Sequence, residues 1–306
     1  MLKSYILILI IIFFPIQFLF GQNPIIEDYL ILENVKILNK EGAYKKAIKE
    51  VELIKNEKVF IARDLMLVGE IYLKLADTTT AKKKVFESIL KGGDFKWLAS
   101  FPELKSIFTR ADSLYFYNTY KQKKNEIDIE LYSSIFSMFQ LDQYVRKKWM
   151  STLDSTYLDA IFEIDSIHAI KVYEIIDKNG WLGHNYFAID QMFFPLFLHI
   201  SDKTMDSTKF EMYQKKLFKE VLKGNMTPSG YAVWVDRHLV FSLKKLPIYG
   251  AFWKGTERGR ELGLVQQPEE IDSLRNSIGL VSLFKYAKSN SGVILPDWYH
   301  QKEKDK

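Results

Sequence analysis

Along most of the chain apolar residues recur every three or four positions, the interval that lines one face of an α-helix. From Asn125 onward Ile127, Leu131, Ile135, Met138, Val145 and Trp149 share such a stripe, and Asp142 falls within it. A second helix is predicted over Ile161 to Asp177, stopped by Asn179-Gly180. The stretch Phe187 to Ile200 is nearly all apolar, which predicts a central helix that Pro195 should kink or split. Residues 208–223 read as an exposed amphipathic helix ending at Gly224. Pro268-Glu-Glu-Ile-Asp opens a further helix, which Gly279-Leu280 ends before a last short one. Two apolar segments, Pro247 to Trp253 and Leu262 to Gln266, flank a loop with Gly and Arg and predict a small antiparallel β-hairpin. The charged residues from Gln301 predict a disordered tail.

The start of the chain has a different pattern. After Met1-Leu-Lys, the run Tyr5 to Phe20 is apolar except for Pro15 and Gln17, and Gly21-Gln22-Asn23-Pro24 follows. This is the pattern of a secretory signal peptide, with cleavage expected after Gly21. The run is shorter than the roughly 20 residues a helix needs to cross a bilayer, and Pro15 interrupts its hydrogen bonding. An uncleaved anchor is the alternative, because Leu19 and Gly21 make an imperfect small-x-small site. With the segment removed, no integral membrane span is expected, and the protein is exported to the periplasm or cell surface.

Residues 25–95 superpose on themselves at an offset of 34, which places Ile31 on Leu65, Val35 on Gly69, Leu38 on Tyr72, Ala47 on Ala81 and Val51 on Val85. The second copy, Leu65-x-x-Val68-Gly69-x-x-Tyr72 followed by Ala81-x-x-x-Val85, resembles the tetratricopeptide repeat, with small residues where paired helices touch. A third copy would need small residues at Glu103 and Tyr115 and is absent or eroded. Two hairpins cannot bury their apolar faces alone. Phe95, Trp97, Leu98, Phe101, Leu104, Ile107 and Phe108 are therefore expected to cap them and dock them on the rest. Two readings follow: a concave groove that takes a protein or peptide, or a scaffold that packs only against its own chain.

Composition narrows the function classes. The 306 residues are 47% hydrophobic and 26% charged, close to an average globular protein. A net charge of +5 at this length is too small for a dedicated nucleic-acid surface. The absence of cysteine removes disulfides, thiolate nucleophiles, Cys-held metals and an acylated N-terminus together. The five histidines, His168, His184, His199, His238 and His300, form no pair at helical spacing, so no metal site is expected. No phosphate loop, dinucleotide fingerprint or Gly-x-Ser-x-Gly elbow occurs, and no cofactor is implied. Lysine doublets and triplets such as Lys82-Lys83-Lys84 read as solvated helix faces.

The candidate chemistry lies in the second half. Asp142 on an apolar stripe needs a partner, and Arg146 stands four residues on. In Tyr231-Ala-Val-Trp-Val-Asp236-Arg237-His238-Leu-Val-Phe241, ionisable groups interrupt an apolar segment, so partners within the fold are expected for them. His199, Asp236 and Tyr249 are the candidate catalytic residues, and Asp142, Arg146, Arg237 and Trp253 the candidate binding residues. A pocket with His199 as general base is one reading; an ion-pair network that locks helices together is the other.

Several of these elements stand in one order: Asp142-Gln143-x-x-Arg146, Gly180-Trp181, His199 at the end of an apolar helix, Tyr231-Ala-x-x-x-Asp236-Arg237, Tyr249-Gly250 and Arg275-x-x-x-Gly279-Leu280. Together they make residues 127–286 resemble a bacterial family of domains of unknown function, number 6624 in that series. The resemblance implies a helical domain with a small strand pair and no established activity. The family usually has Gln where this chain has Leu198, Gln at Pro247, Thr at Ala251 and Pro at Leu182. Three of these changes remove side-chain hydrogen-bonding groups and thin any polar centre. The expected fold is therefore mainly α: signal peptide over 1–21, tetratricopeptide-like hairpins over 22–95, capping helices over 96–124, a helical domain with a small antiparallel β-hairpin over 125–290, and a tail over 291–306. The expected role is binding or scaffolding, with a hydrolase-like enzyme around His199, Asp236 and Arg237 as the alternative.

Overall fold

The computed structural model describes residues 23–93, 98, 100–183, 186, 189–257 and 259–304. The apolar run and cleavage site at the start, Phe95, Trp97, His184 and Phe187 lie outside the described residues.

Two helical hairpins open the chain, α1 (Pro24–Lys40) with α2 (Tyr44–Leu53) and α3 (Ala62–Lys74) with α4 (Thr78–Leu90). Asn23 caps α1 by accepting the Ile25 N–H, and Asp77 caps α4 by accepting that of Thr80. A Cβ on Gly69 would meet the Ala81 carbonyl oxygen at 3.1 Å and Val85 Cγ2 at 3.3 Å. The bare backbone at Gly69 and the small Ala81 thus set the close crossing of α3 and α4, as the 34-residue offset predicts. In the first hairpin the matching pair is Val35 and Ala47, both fully buried beside Ile71. The link between hairpins is held by Asp28, which accepts the backbone N–H groups of Lys55 and Asn56 at 3.0 and 2.9 Å.

The segment after the repeats caps them. Leu98, Leu104 of α5 (Pro102–Ser106) and Phe116 of α6 (Arg110–Asn125) close a core with Met66, Ala81, Val85 and Ile89, with Phe101, Ile107 and Phe108 at its edge.

Five longer helices build the second half: α7 (Ile129–Thr152), α8 (Ser155–Asn179), α9 (Asp190–Thr204), α10 (Ser207–Leu222) and α11 (Pro228–Phe241). Phe193 and Phe197 of α9, Tyr213 of α10 and Trp234 of α11 are fully buried at its centre. Helix α9 runs through Pro195 without being split. The missing N–H costs one hydrogen bond, and burial of Phe193, Leu196 and Phe197 around the proline outweighs it.

The hairpin lies elsewhere than expected. Strands β1 (Lys254–Thr256) and β2 (Gly259–Glu261) pair antiparallel inside the stretch read as a loop, and β3 (Val293–Ile294) joins β2 in parallel. Pro247 to Trp253 does not pair as a strand, because the N–H groups of Ile248, Tyr249 and Ala251 are all donated to Asp236. Helices α12 (Ile271–Ser277) and α13 (Leu283–Ser289) follow. The region 291–306, expected as a tail, returns to the fold through β3 and α14 (Asp297–Lys304). Tyr299 is fully buried and donates its hydroxyl to Asp272 at 2.8 Å. Leu295 and Trp298 pack into the same small core, so three apolar side chains anchor the segment ahead of its charged end.

One hydrophobic core runs through both halves. Ile25, Ile26, Tyr29 and Leu32 of α1 and Leu65 and Val68 of α3 share it with Phe197, Tyr231, Leu274 and Ile278. The Tyr29 hydroxyl donates to the Met226 carbonyl at 3.2 Å. Gly279, at φ +91°, lies so close that a Cβ would come within 2.9 Å of Tyr29 Cβ. The inner helices of the repeats are therefore covered by their own chain. Among the described residues no helix is long and apolar enough to cross a membrane.

Candidate functional site

Three polar or concave features stand out in the second half, on different elements. The first joins α7, α8 and α9. Asp142 is 1% exposed and accepts from Arg146 Nε at 2.8 Å, from Gln143 Nε2 at 2.8 Å, and from His199 Nδ1 at 3.0 Å to each carboxylate oxygen. Arg146 Nη2 bridges to Asp165 of α8 at 2.5 Å. The i, i+4 spacing on α7 aims Arg146 along the helix at Asp142. The α8 stripe Ile161, Asp165, His168, Val172 and Ile176 brings a second carboxylate and a second imidazole to the same face. Burial pushes the Asp142 carboxyl up, but the His199 hydrogen bond and the charges of His199 and Arg146 outweigh it and hold the group below the usual carboxylate range.

Two groups of this network reach its outer side. The side chains of His199 and Arg146 are 18% and 20% exposed. With Nδ1 donating to Asp142, Nε2 is the ring nitrogen that serves as acceptor in the neutral form of the imidazole. His168, 6% exposed and on the same helix face as Asp165, has its Nδ1 unpartnered. Burial pulls its pKa down against the attraction of Asp142 and Asp165. A buried polar atom without a partner is uncommon and calls for an explanation.

The second feature is a loop clamp. Asp236, 0% exposed, accepts Ile248 N–H at 2.7 Å and Tyr249 N–H at 2.9 Å on Oδ1, and Ala251 N–H at 2.7 Å on Oδ2. Arg275 closes the loop from the other side, with Nη1 to the Tyr249 carbonyl and Nε to the Val281 carbonyl, both at 2.8 Å. Burial pushes the Asp236 carboxyl up to about 6, against the pull of the three N–H donors and the Arg275 charge. The Tyr249 side chain is buried against Tyr231 and hydrogen-bonded to it, and burial raises its pKa. Trp253 stacks on Tyr286 at 5.7 Å, and the Arg275 guanidinium lies 5.5 Å over the other ring of that stack. Arg237 is half-buried, its guanidinium 5.0 Å over the Phe241 ring.

The third feature is a pocket of about 500 Å³ between the Trp181-Leu182-Gly183 loop, the first turns of α9 and the start of α11. Phe194, Pro195, Met226 and Val233 complete its apolar walls, and Asp190, Gln191, Asn225, Thr227 and Ser229 are its polar lining. Trp181 is fixed by edge contacts with Phe193 at 5.4 Å and Phe197 at 5.2 Å.

The candidates singled out in the sequence thus divide. Asp142, Arg146 and His199 meet. Asp236 and Tyr249 meet each other, but His199 is not among the partners of Asp236. Asp236 directs both carboxylate oxygens to the 248–251 backbone. Arg237 lies over the Phe241 ring and Trp253 stacks on Tyr286. The residues overlooked were Asp165, His168 and the pocket wall. Asp165 carried the same signal as Asp142, a carboxylate on an apolar helical stripe. Among the described residues no group of His, Asp and Glu is arranged to hold a metal ion. No family model, curated protein or solved structure matches the chain.

Proposed function

We propose that this is an exported binding protein of the cell envelope, whose tetratricopeptide-like hairpins serve as a packing scaffold and whose ligand enters the pocket between α9 and α11. The observation that carries this reading is the pocket itself. At about 500 Å³ it falls in the range of small-molecule sites, with apolar walls that include Trp181 and Phe194 and a few polar groups in its lining. The matching ligand is a small amphipathic molecule with an aromatic or aliphatic body and one hydrogen-bonding end, which Asn225, Thr227 and Ser229 would meet. The repeat is a poorer binding site, since α1 and α3 spend their inner faces on the shared core. The apolar run at residues 5–20 supports export, and the ordered elements over 127–286 support kinship with the unknown-function family.

Thermal denaturation in the presence of indole or 1-hexanol tests the pocket. A ligand selective for the folded state raises the melting temperature with concentration. Indole or hexanol should do so for the native protein and not for Val233→Trp, which fills the space. If neither probe shifts the transition, or the filled variant responds equally, the binding reading is wrong.

A further inference from the structure

Two exposed donor and acceptor positions remain on the Asp142 network after its internal bonds are made, and both come from groups fixed by the same carboxylate. Arg146 Nε and His199 Nδ1 lie within 3.0 Å of one atom, Asp142 Oδ1, so guanidinium and imidazole are neighbours with set orientations. Arg146 uses Nε and Nη2 on Asp142 and Asp165, and its Nη1 has no protein partner among the described residues. His199 uses Nδ1 alone, and its Nε2 likewise has none. A purely structural lock needs neither group to reach solvent. His168, on the buried face of α8 with Asp165, adds a third imidazole or guanidinium group to this region whose bonding is incomplete, at Nδ1.

We propose that His199 and Arg146 form a water-using hydrolytic centre for neutral carboxylic esters, with Asp142 as the positioning residue. Water is the nucleophile, because among the described residues no hydroxyl side chain is bonded to His199. His199 Nε2 takes a proton from the water as its oxygen attacks the acyl carbon, and the carbonyl π electrons pass to the carbonyl oxygen, which faces Arg146 Nη1. Collapse restores the C=O bond and breaks the acyl–alkoxy bond. The departing alkoxide takes the proton back from Nε2, leaving a carboxylic acid, an alcohol and the original imidazole. Charge selects the substrate. Two carboxylates around one guanidinium leave a net negative site while the imidazole is neutral, which repels a phosphate dianion but admits an uncharged ester whose negative charge develops only in the transition state.

The test is p-nitrophenol release by the full-length protein from p-nitrophenyl acetate and from p-nitrophenyl phosphate. Saturable turnover of the acetate and none of the phosphate is expected. His199→Gln, whose amide can still donate to Asp142, should lose at least about a hundredfold in rate, the contribution typical of a general base. Asp142→Asn should lower kcat with KM unchanged, and His300→Gln, at an exposed position, should match the native rate. Should His199→Gln not fold, the same loss is required of Arg146→Lys. Acetate hydrolysis no faster than buffer, a folded His199→Gln with native rate, or preferred turnover of the phosphate would each overturn the proposal.

Discussion

Replacing Asp236 by alanine tests the loop clamp most directly. The carboxylate accepts three backbone N–H groups, two of them fully buried and that of Ala251 partly so. An orphaned buried donor costs about 1–3 kcal/mol. Two in full and one partly relieved by water give a loss of about 3–5 kcal/mol, against a total stability of about 5–15 kcal/mol for a folded domain. The loss should also depend on pH. The folded-state pKa is raised to about 6 from an ordinary value of 3.8. The stabilisation linked to this proton is therefore complete below the ordinary value and disappears as pH rises through about 6. Between pH 4 and pH 7 the native protein should give up about 2 kcal/mol from this group alone, a slope that the alanine variant lacks. The gap between the two proteins is thus widest near pH 4. Urea unfolding followed by tryptophan fluorescence at pH 4, 5, 6 and 7 measures it. A loss under about 1 kcal/mol at every pH would refute the clamp, and a gap that widens toward pH 7 would refute the raised pKa.

Two further outcomes follow from single positions. Gly279→Ala combines a left-handed backbone with a Cβ 2.9 Å from Tyr29 Cβ; it should cost about 2 kcal/mol or more in thermal unfolding, and a variant as stable as the native protein would mean that the halves do not meet there. His168→Leu removes a buried imidazole with an unpartnered nitrogen and should leave stability at pH 7 unchanged or slightly higher. Because burial lowers the His168 pKa from 6.5, the native protein loses stability as pH falls below that value while the leucine variant does not. Melting curves at pH 7 and pH 5 decide it, and a leucine variant weaker at both would contradict the assigned environment.

Much of this was legible from residue type and spacing. Asp142 betrayed itself as a carboxylate on an apolar stripe, and its partner Arg146 followed from helix geometry. The 34-residue offset marked Gly69 and Ala81 as the crossing point of α3 and α4. Asp236 could be read as buried and in need of partners, but the partners are backbone N–H groups, which every residue carries and no side chain announces. The same concealment misplaced the hairpin, since the apolar pattern of Pro247 to Trp253 suits a strand until its N–H groups are taken. Tyr299 shows the converse limit, where a few apolar side chains, with Leu295 and Trp298, outweigh the polar composition around them.

The shared core has a consequence for anyone who would divide the molecule. The repeat period ends near residue 95, which invites a cut between the halves, yet Ile25, Ile26, Tyr29 and Leu32 lie against Tyr231, Leu274 and Ile278. Severing the chain there would bare both sides of that apolar contact to water and leave two sticky fragments. Melting of the intact protein should accordingly proceed as a single transition, with the amides of α1 exchanging at the same slow pace as those of α11.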